Sequence, residues 1–263
     1  KKQKIDIAII EVGMGGRLDS TNIITPLISV ITNIGLDHTQ FLGTTLENIA
    51  TEKAGIIKPS IPIVIGEYTQ ETKPVFITTA QKNNATIYFA SDMIKETFHS
   101  DLTGDYQNQN KKTVLQTIQI LNSQNQFKIS ELHTKDGLLN VTKNTGLYGR
   151  WQQLNDSPKV ICDTAHNKHG LKVVLNQIEN EKFDTLHIVM GAVNDKDLEE
   201  ILPLFPKKAI YYFCKPNVPR GLDTAILYKK GTQYELKGRV FNSVSEAYKN
   251  ALVSATISDF IFI

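Results

Sequence analysis

Two short stretches of this 263-residue chain gather residues able to hold a cation against anionic oxygen. Residues 11–22, EVGMGGRLDSTN, put Glu11, three glycines, Arg17, Asp19 and Asn22 directly after the apolar run 5–10. That run, with Asp6 its only polar interruption, predicts a strand buried on both faces of a parallel sheet. In open α/β sheets ligands bind beyond the carboxyl ends of strands. Glu11 is therefore expected at the sheet's edge, where Gly13, Gly15 and Gly16 let the backbone approach a ligand. A glycine-rich turn after a strand is commonly only a turn. Residues 30–43, VITNIGLDHTQFLG, nevertheless repeat the layout, with Asn33, Gly35, Asp37 and His38 after a second apolar strand. If the two strands are parallel neighbours, Glu11 and His38 leave the same edge and can share one hard cation with water and phosphate oxygens.

A third group is Asp163-Thr164-Ala165-His166-Asn167, between a predicted strand at 159–162 and a predicted helix. Asp163 or Thr164 could be an ordinary helix cap, although His and Asn so close to a strand end are less expected than a bare cap. Taken singly, other polar residues read blandly. Arg150 in the Gly149-Arg150 pair is a surface arginine, and Lys53 is a solvated charge on a helix flank. Asn110 is an N-cap for the helical run 111–121. His99, His133, His169 and His187 have no partner pattern.

These groups need elements to position them. Thr44 and Thr45 can cap a helix over 44–57, in which Leu46, Ile49, Ala50, Ala54 and Ile57 follow helical spacing. A strand at 61–65, a helix at 71–83 and a strand at 85–90 continue the alternation. A polar, strand-like piece is expected after Ser91, then the helical run and a second helix at 129–139. The polar stretch 142–146 is the candidate boundary, giving domains 1–145 and 146–263. Beyond it, strands at 150–154, 159–162, 185–190, 209–213, 239–241 and 260–263 alternate with helices at 168–178, 195–202, 222–230 and 243–255. That pattern is a second doubly wound α/β unit.

Composition sets limits. With 41% hydrophobic and 21% charged residues the chain reads as an ordinary globular protein, and no apolar run approaches the ~18 residues of a membrane helix. A net charge of +2, with Lys and Arg scattered, argues against nucleic acid as a partner. Cys162 and Cys214 lie in apolar runs without metal-ligand spacing, as expected of buried cytoplasmic thiols. The beginning lacks Met and any signal-peptide core, and DFIFI at the end reads as a buried strand. Both ends are expected to be cuts through a longer protein.

EVGMGGRLDSTN, NIGLDHTQFLG, TEKAGIIKP, GDYQNQN, the GR pair before WQQL, and DTAHN occur in that order across nearly the whole chain. The set resembles the folylpolyglutamate synthase and dihydrofolate synthase branch of the Mur ligase superfamily; its first three motifs are the specific ones. The resemblance implies part of an α/β central ATPase domain with a parallel sheet, followed by a Rossmann-like α/β C-terminal domain. It implies an ATP-dependent amide ligase that phosphorylates the carboxylate of dihydropteroate or a folate and couples it to L-glutamate. Carried over by motif, Glu11 and His38 ligate Mg2+, and Lys53 is carbamylated, its cation becoming a carboxylate-like anion. Leu18, Asp19 and Ser20 contact the pterin substrate, and Asn110, Arg150 and Asp163 hold ATP. His166 lies near the phosphates or the incoming glutamate. The resemblance also admits a monovalent cation such as K+, and implies a cytoplasmic monomer whose domains close to assemble the site.

One departure stands out, because no G-x-x-x-x-G-K-[ST] phosphate loop occurs in these residues. The expectation is a ligase parent and an inactive 263-residue piece. Two alternatives remain open: another Mur-type ligase acting on a cell-wall nucleotide precursor, and a nucleotide- or metal-binding module without catalysis.

Overall fold

The computed structural model describes residues 4–263, which form an α/β protein with two sheets. The first sheet is β1 (Ser29–Ile31), β2 (Ile63–Ile65) and β3 (Ile87–Phe89), paired in that order and parallel throughout. Parallel strands need crossovers. These are supplied by α1 (Thr39–Leu42) and α2 (Leu46–Ala54) between β1 and β2, and by α3 (Thr72–Lys82) between β2 and β3. Thr45 caps α2 by accepting the Asn48 N–H, while Ile49, Ala50 and Ala54 bury one face of that helix against Ile63, Ile65 and Phe76. The other face of the sheet receives Ile120 against Val64 and Ala90. After β3 come α4 (Ala90–Met93), α5 (Gln107–Ser123), α6 (Glu131–Leu139) and α7 (Val141–Thr145).

The second sheet has six strands: β4 (Gln152–Asp156), β5 (Lys159–Cys162), β6 (Leu186–Gly191), β7 (Ile210–Cys214), β8 (Gly238–Phe241) and β9 (Phe260–Phe262). Their order is β4-β5-β9-β6-β7-β8, and only β4 runs antiparallel. The crossover helices are α8 (Lys168–Glu179), α9 (Leu198–Ile201), α10 (Thr224–Gln233) and α11 (Val244–Ser254). Alternate residues of β7 serve the two faces: Tyr212 and Cys214 pack with Ala247 and Ala251 of α11, while Tyr211 stacks on Phe213, which lies against Gly231 of α10. A central strand covered on both sides is why IYYFC is almost unbroken in hydrophobicity.

Chain contacts divide the protein into two compact units. One comprises the stretch up to His99 together with Tyr106–Leu138; the other comprises Ser100–Asp105 with Leu139–Ile263. Ser100–Asp105 joins the second unit through Asp101, which accepts the Val141 and Thr142 N–H groups at 3.2 and 2.8 Å. The Asp105 N–H also donates to Gln177 Oε1 at 2.8 Å.

Two sequence expectations are corrected. Residues 5–10 form no strand, and Ile5, Ile7, Ile9 and Ile10 are exposed, Ile9 at 93%. An apolar run reports a tendency to be buried, but a strand also needs a ladder partner, and no described residue pairs with this one. The strand-like piece after Ser91 is instead the end of α4 followed by irregular chain. The polar stretch 142–146 lies in α7 and its cap, closed by Gly146 in the left-handed conformation at φ 69°.

Candidate active site

In the first unit the glycine-rich turn is docked on α2, the helix that carries Lys53. A methyl group on Gly16 would lie 2.8 Å from the Glu52 carbonyl oxygen and 2.9 Å from that of Lys53; one on Gly55 would lie 2.4 Å from Arg17 Cα. Backbone this close leaves no room for a side chain. The Arg17 N–H donates to the Glu52 carbonyl at 2.8 Å, and the guanidinium meets the Glu52 carboxylate through Nε at 3.2 Å and Nη2 at 3.0 Å. Asn22 Nδ2 reaches the Gly55 carbonyl at 3.0 Å, and Lys58 Nζ reaches the Asn22 carbonyl at 2.6 Å. EVGMGGRLDSTN and TEKAGIIKP are thus one structural piece.

Within that piece Asp19 is a cap. Its carboxylate accepts the Thr21 hydroxyl at 2.6 Å, the Thr21 N–H at 2.9 Å and the Met14 N–H at 3.0 Å, closing the turn before the short 3-10 helix Ser20–Ile23. These bonds, that of the Thr21 hydroxyl first, lower its pKa to about 2. Leu18 is 79% exposed and Ser20 is exposed beside it, so the turn presents both to solvent. Lys53, in the last turn of α2, is half-buried with no side-chain hydrogen bond or ion pair among the described residues.

His38 occupies the N-cap of α1 in the left-handed conformation, φ 49° and ψ 37°, past the carboxyl end of β1. Its N–H donates to Asp37 Oδ1 at 2.9 Å, and its ring is exposed. Glu11 is also exposed but follows the unpaired residues 5–10, so the two residues do not leave neighbouring strands. No group of three potential metal-ligating side chains exists among the described residues. Asn110 is the fourth residue of α5, whose N-cap is Tyr106, so it is not the cap. Its Nδ2 donates to Gln107 Oε1 at 2.9 Å.

In the second unit, Arg150, Asp163 and His166 are brought together. Gly149, at φ 72°, lets its carbonyl accept the Thr164 N–H at 2.9 Å; a methyl group on Gly149 would lie 2.6 Å from Thr164 Cγ2. Asp163 accepts the Trp151 N–H at 2.6 Å on one oxygen and the Ala165 N–H at 2.8 Å on the other. Trp151 is itself left-handed at φ 51° and 4% exposed, a backbone this contact holds in place. The Arg150 guanidinium donates to the Thr164 hydroxyl and at 3.4 Å to the Gly149 carbonyl, with no carboxylate partner among the described residues. His166 Nδ1 lies 3.1 Å from the Thr164 carbonyl, which can only accept, so Nδ1–H donates there. Beside this group a cavity of about 280 Å3 opens at the carboxyl ends of the strands, walled by Cys162, Asp163, Met190, Cys214 and Phe262. Burial pushes the Cys214 thiol up to about 11 and raises that of Cys162, so both stay protonated.

The sequence does not show that Arg17 answers Glu52 or that Thr164 meets Arg150. Arg17 and Glu52 are 35 residues apart and no local pattern links them. Thr164 stood inside DTAHN without an evident partner.

A doubly wound sheet with an arginine and an aspartate converging beyond a strand end, preceded by a smaller parallel sheet, defines the class. The chain belongs to the Mur ligase family: residues 1–155 match the Mur ligase middle domain, and residues 149–263 match the Mur ligase glutamate ligase domain. Within it, the chain is 30% identical to the dihydrofolate synthase/folylpolyglutamate synthase of Escherichia coli K12, over the whole chain and 63% of that protein. It superposes on E. coli FolC in complex with DHPP and ADP with a TM-score of 0.78 at 26% identity, covering 95% of this chain and 61% of that one. A bifunctional folylpolyglutamate synthase/dihydrofolate synthase with Mn, AMPPNP and L-glutamate bound gives a TM-score of 0.82 at 26% identity, covering all of this chain and 64% of that one. The chain therefore spans under two thirds of the length of these relatives.

Proposed function

We propose that the protein to which these residues belong is an ATP-dependent carbon-nitrogen ligase that joins L-glutamate to dihydropteroate or a folate. The observation carrying this reading is Arg150, whose guanidinium has a carbonyl and a hydroxyl but no carboxylate as partner among the described residues, on the loop that Asp163 holds. Such a donor fork suits phosphate. The relatives solved with ADP, AMPPNP, DHPP and L-glutamate support the choice of ligands.

The γ-phosphoryl group of ATP passes to the acceptor carboxylate, ADP leaves, and the glutamate amine displaces phosphate from the acyl phosphate. Phosphoryl transfer is chiefly positioning and charge neutralisation, which assigns the residues. Arg150 takes phosphate charge, Asp163 fixes the loop carrying it, and Asn110 offers its amide oxygen to the nucleotide. Leu18 and Ser20 meet the pterin acceptor on a turn shaped by Asp19. With its ring neutral, His166 offers Nε2 as an acceptor to the incoming ammonium.

Glu11 and His38 would supply one or two ligands to Mg2+, an ion that usually keeps waters and phosphate oxygens besides its few protein ligands. When bound, it would neutralise developing phosphate charge, and a K+ ion could assist. Lys53, half-buried and unpaired, suits conversion to a carbamate that adds negative charge. We further propose that domains 1–145 and 146–263 act as the ATP-binding and glutamate-ligating parts of a cytoplasmic monomer. Among the described residues no helix is long and apolar enough to cross a membrane.

The test is turnover by the complete protein with ATP, dihydropteroate and L-glutamate, following ADP, phosphate and amide product together. ATP consumption that answers to a cell-wall nucleotide precursor instead would move the protein to another Mur ligase branch. Nucleotide binding without turnover on any acceptor would leave a binding module. The 263 residues alone, lacking a G-x-x-x-x-G-K-[ST] loop, are expected to show little or no turnover.

A further inference from the structure

Residues 18–20 lie on a turn whose own apolar side chains face solvent. Leu18 is 79% and Ile23 90% exposed, and the Asp19 bonds are internal to the turn. Besides the close backbone approach at Gly16 and Gly55, polar anchors tie it to the end of α2. The Arg17 N–H donates to the Glu52 carbonyl at 2.8 Å, and the Arg17 fork grips the Glu52 carboxylate at 3.0 to 3.3 Å, with Asn22 on the Gly55 carbonyl beyond. Glu52 is the neighbour of Lys53 in sequence, so the anchor sits on the same helical turn as that lysine.

From this geometry we propose that Arg17 and Glu52 are a positioning pair: they fix the acceptor-contacting turn to the helix of Lys53, so that acceptor and lysine move as one body. The proposal rests on the reading of residues 18–20 as acceptor contacts. Neither side chain need touch a substrate. A paired guanidinium is poorly suited to hold an anion, whereas a two-pronged grip on a carboxylate restricts the turn's motion. Without the pair, the ordering of the turn would be charged to acceptor binding.

In the complete protein, Glu52→Gln and Arg17→Met should each raise KM for dihydropteroate about 3- to 10-fold, the ordering cost of one or two side chains. KM for ATP and kcat at saturating dihydropteroate should stay within about twofold, a split that general destabilisation does not give. Arg17→Lys, which keeps the charge and loses the fork, should recover part of the loss. Leu18→Ala is the control on the underlying reading and should also raise KM for dihydropteroate. An unchanged KM in Leu18→Ala overturns the acceptor reading and this proposal with it. A raised KM in Leu18→Ala with no change in Glu52→Gln and Arg17→Met overturns this proposal alone, as does an equal rise in KM for ATP and dihydropteroate. Should Arg17→Met fail to fold, Glu52→Gln, which loses only charge, still decides the matter.

Discussion

Arg17 and Arg150 sit on glycine-flanked turns built by the same device, an aspartate collecting backbone N–H groups. Asp19 takes those of Met14 and Thr21; Asp163 takes those of Trp151 and Ala165. The two arginines differ in what they meet. Arg17 is ion-paired with Glu52, whereas Arg150 donates to a hydroxyl and a carbonyl and has no ion pair with a carboxylate among the described residues. On the roles proposed above, it is the charge of the partner, rather than residue type or turn, that separates an anchor from an anion ligand.

The largest effect should come from the backbone contacts beneath the turns. Gly55→Ala must push a methyl group into Arg17 Cα, and a loss of about 3 kcal/mol is expected in denaturant unfolding. Gly149→Ala, strained at φ 72° and crowded by the Thr164 methyl, should lose about 1–3 kcal/mol, and the two losses should add if the turns are independent. Next, Arg150→Ala should weaken ADP binding about 10- to 100-fold by calorimetry, the value of a charge-assisted bond. Arg17→Met should leave ADP affinity within about twofold. Equal losses from both arginines would erase the distinction drawn between them.

A smaller effect separates the units by pH. His187 of β6 is buried between Tyr212, 2.9 Å from Nδ1, and Asp259, 3.5 Å from Nε2; the histidines of the first unit are exposed. Burial holds the His187 imidazole below its usual range against the opposing pull of Asp259. The unfolded chain then takes up the proton first, so this contribution is intact above about pH 6.5 and declines as pH falls from there toward the lower folded value. The melting temperature should therefore drop by a few degrees between pH 7 and 5, and by less in His187→Gln. The smallest effect is expected for Glu52→Gln on stability. Its pair is largely exposed at Arg17, so a loss of at most ~1 kcal/mol should accompany its change in acceptor KM.

Much of the architecture was legible. The spacing of Ile49, Ala50 and Ala54 and the Thr45 cap marked α2, and the nearly unbroken apolar runs at β5, β6, β7 and β9 marked a sheet covered on both faces. Residues 5–10 carried the same signature and failed. Hydrophobicity states what a segment would do if covered and paired, and cannot supply the cover. Asn110 misled for a related reason: a helix may begin without a side-chain cap, so a good capping residue can fall inside the first turn, as it does in α5.

By itself the sequence determined the elements of the two sheets, the family and the short motifs at strand ends, because periodicity, turn chemistry and motif order are local properties of the chain. Tertiary structure alone decided that Gly16 and Gly55 bring two motifs into contact, that Glu52 answers Arg17, and that Asp163 holds the backbone beside Arg150. Those pairings join residues 12 to 38 positions apart. Hydrogen bonds and charges act over a few ångströms, and only the folded chain sets which groups come that near.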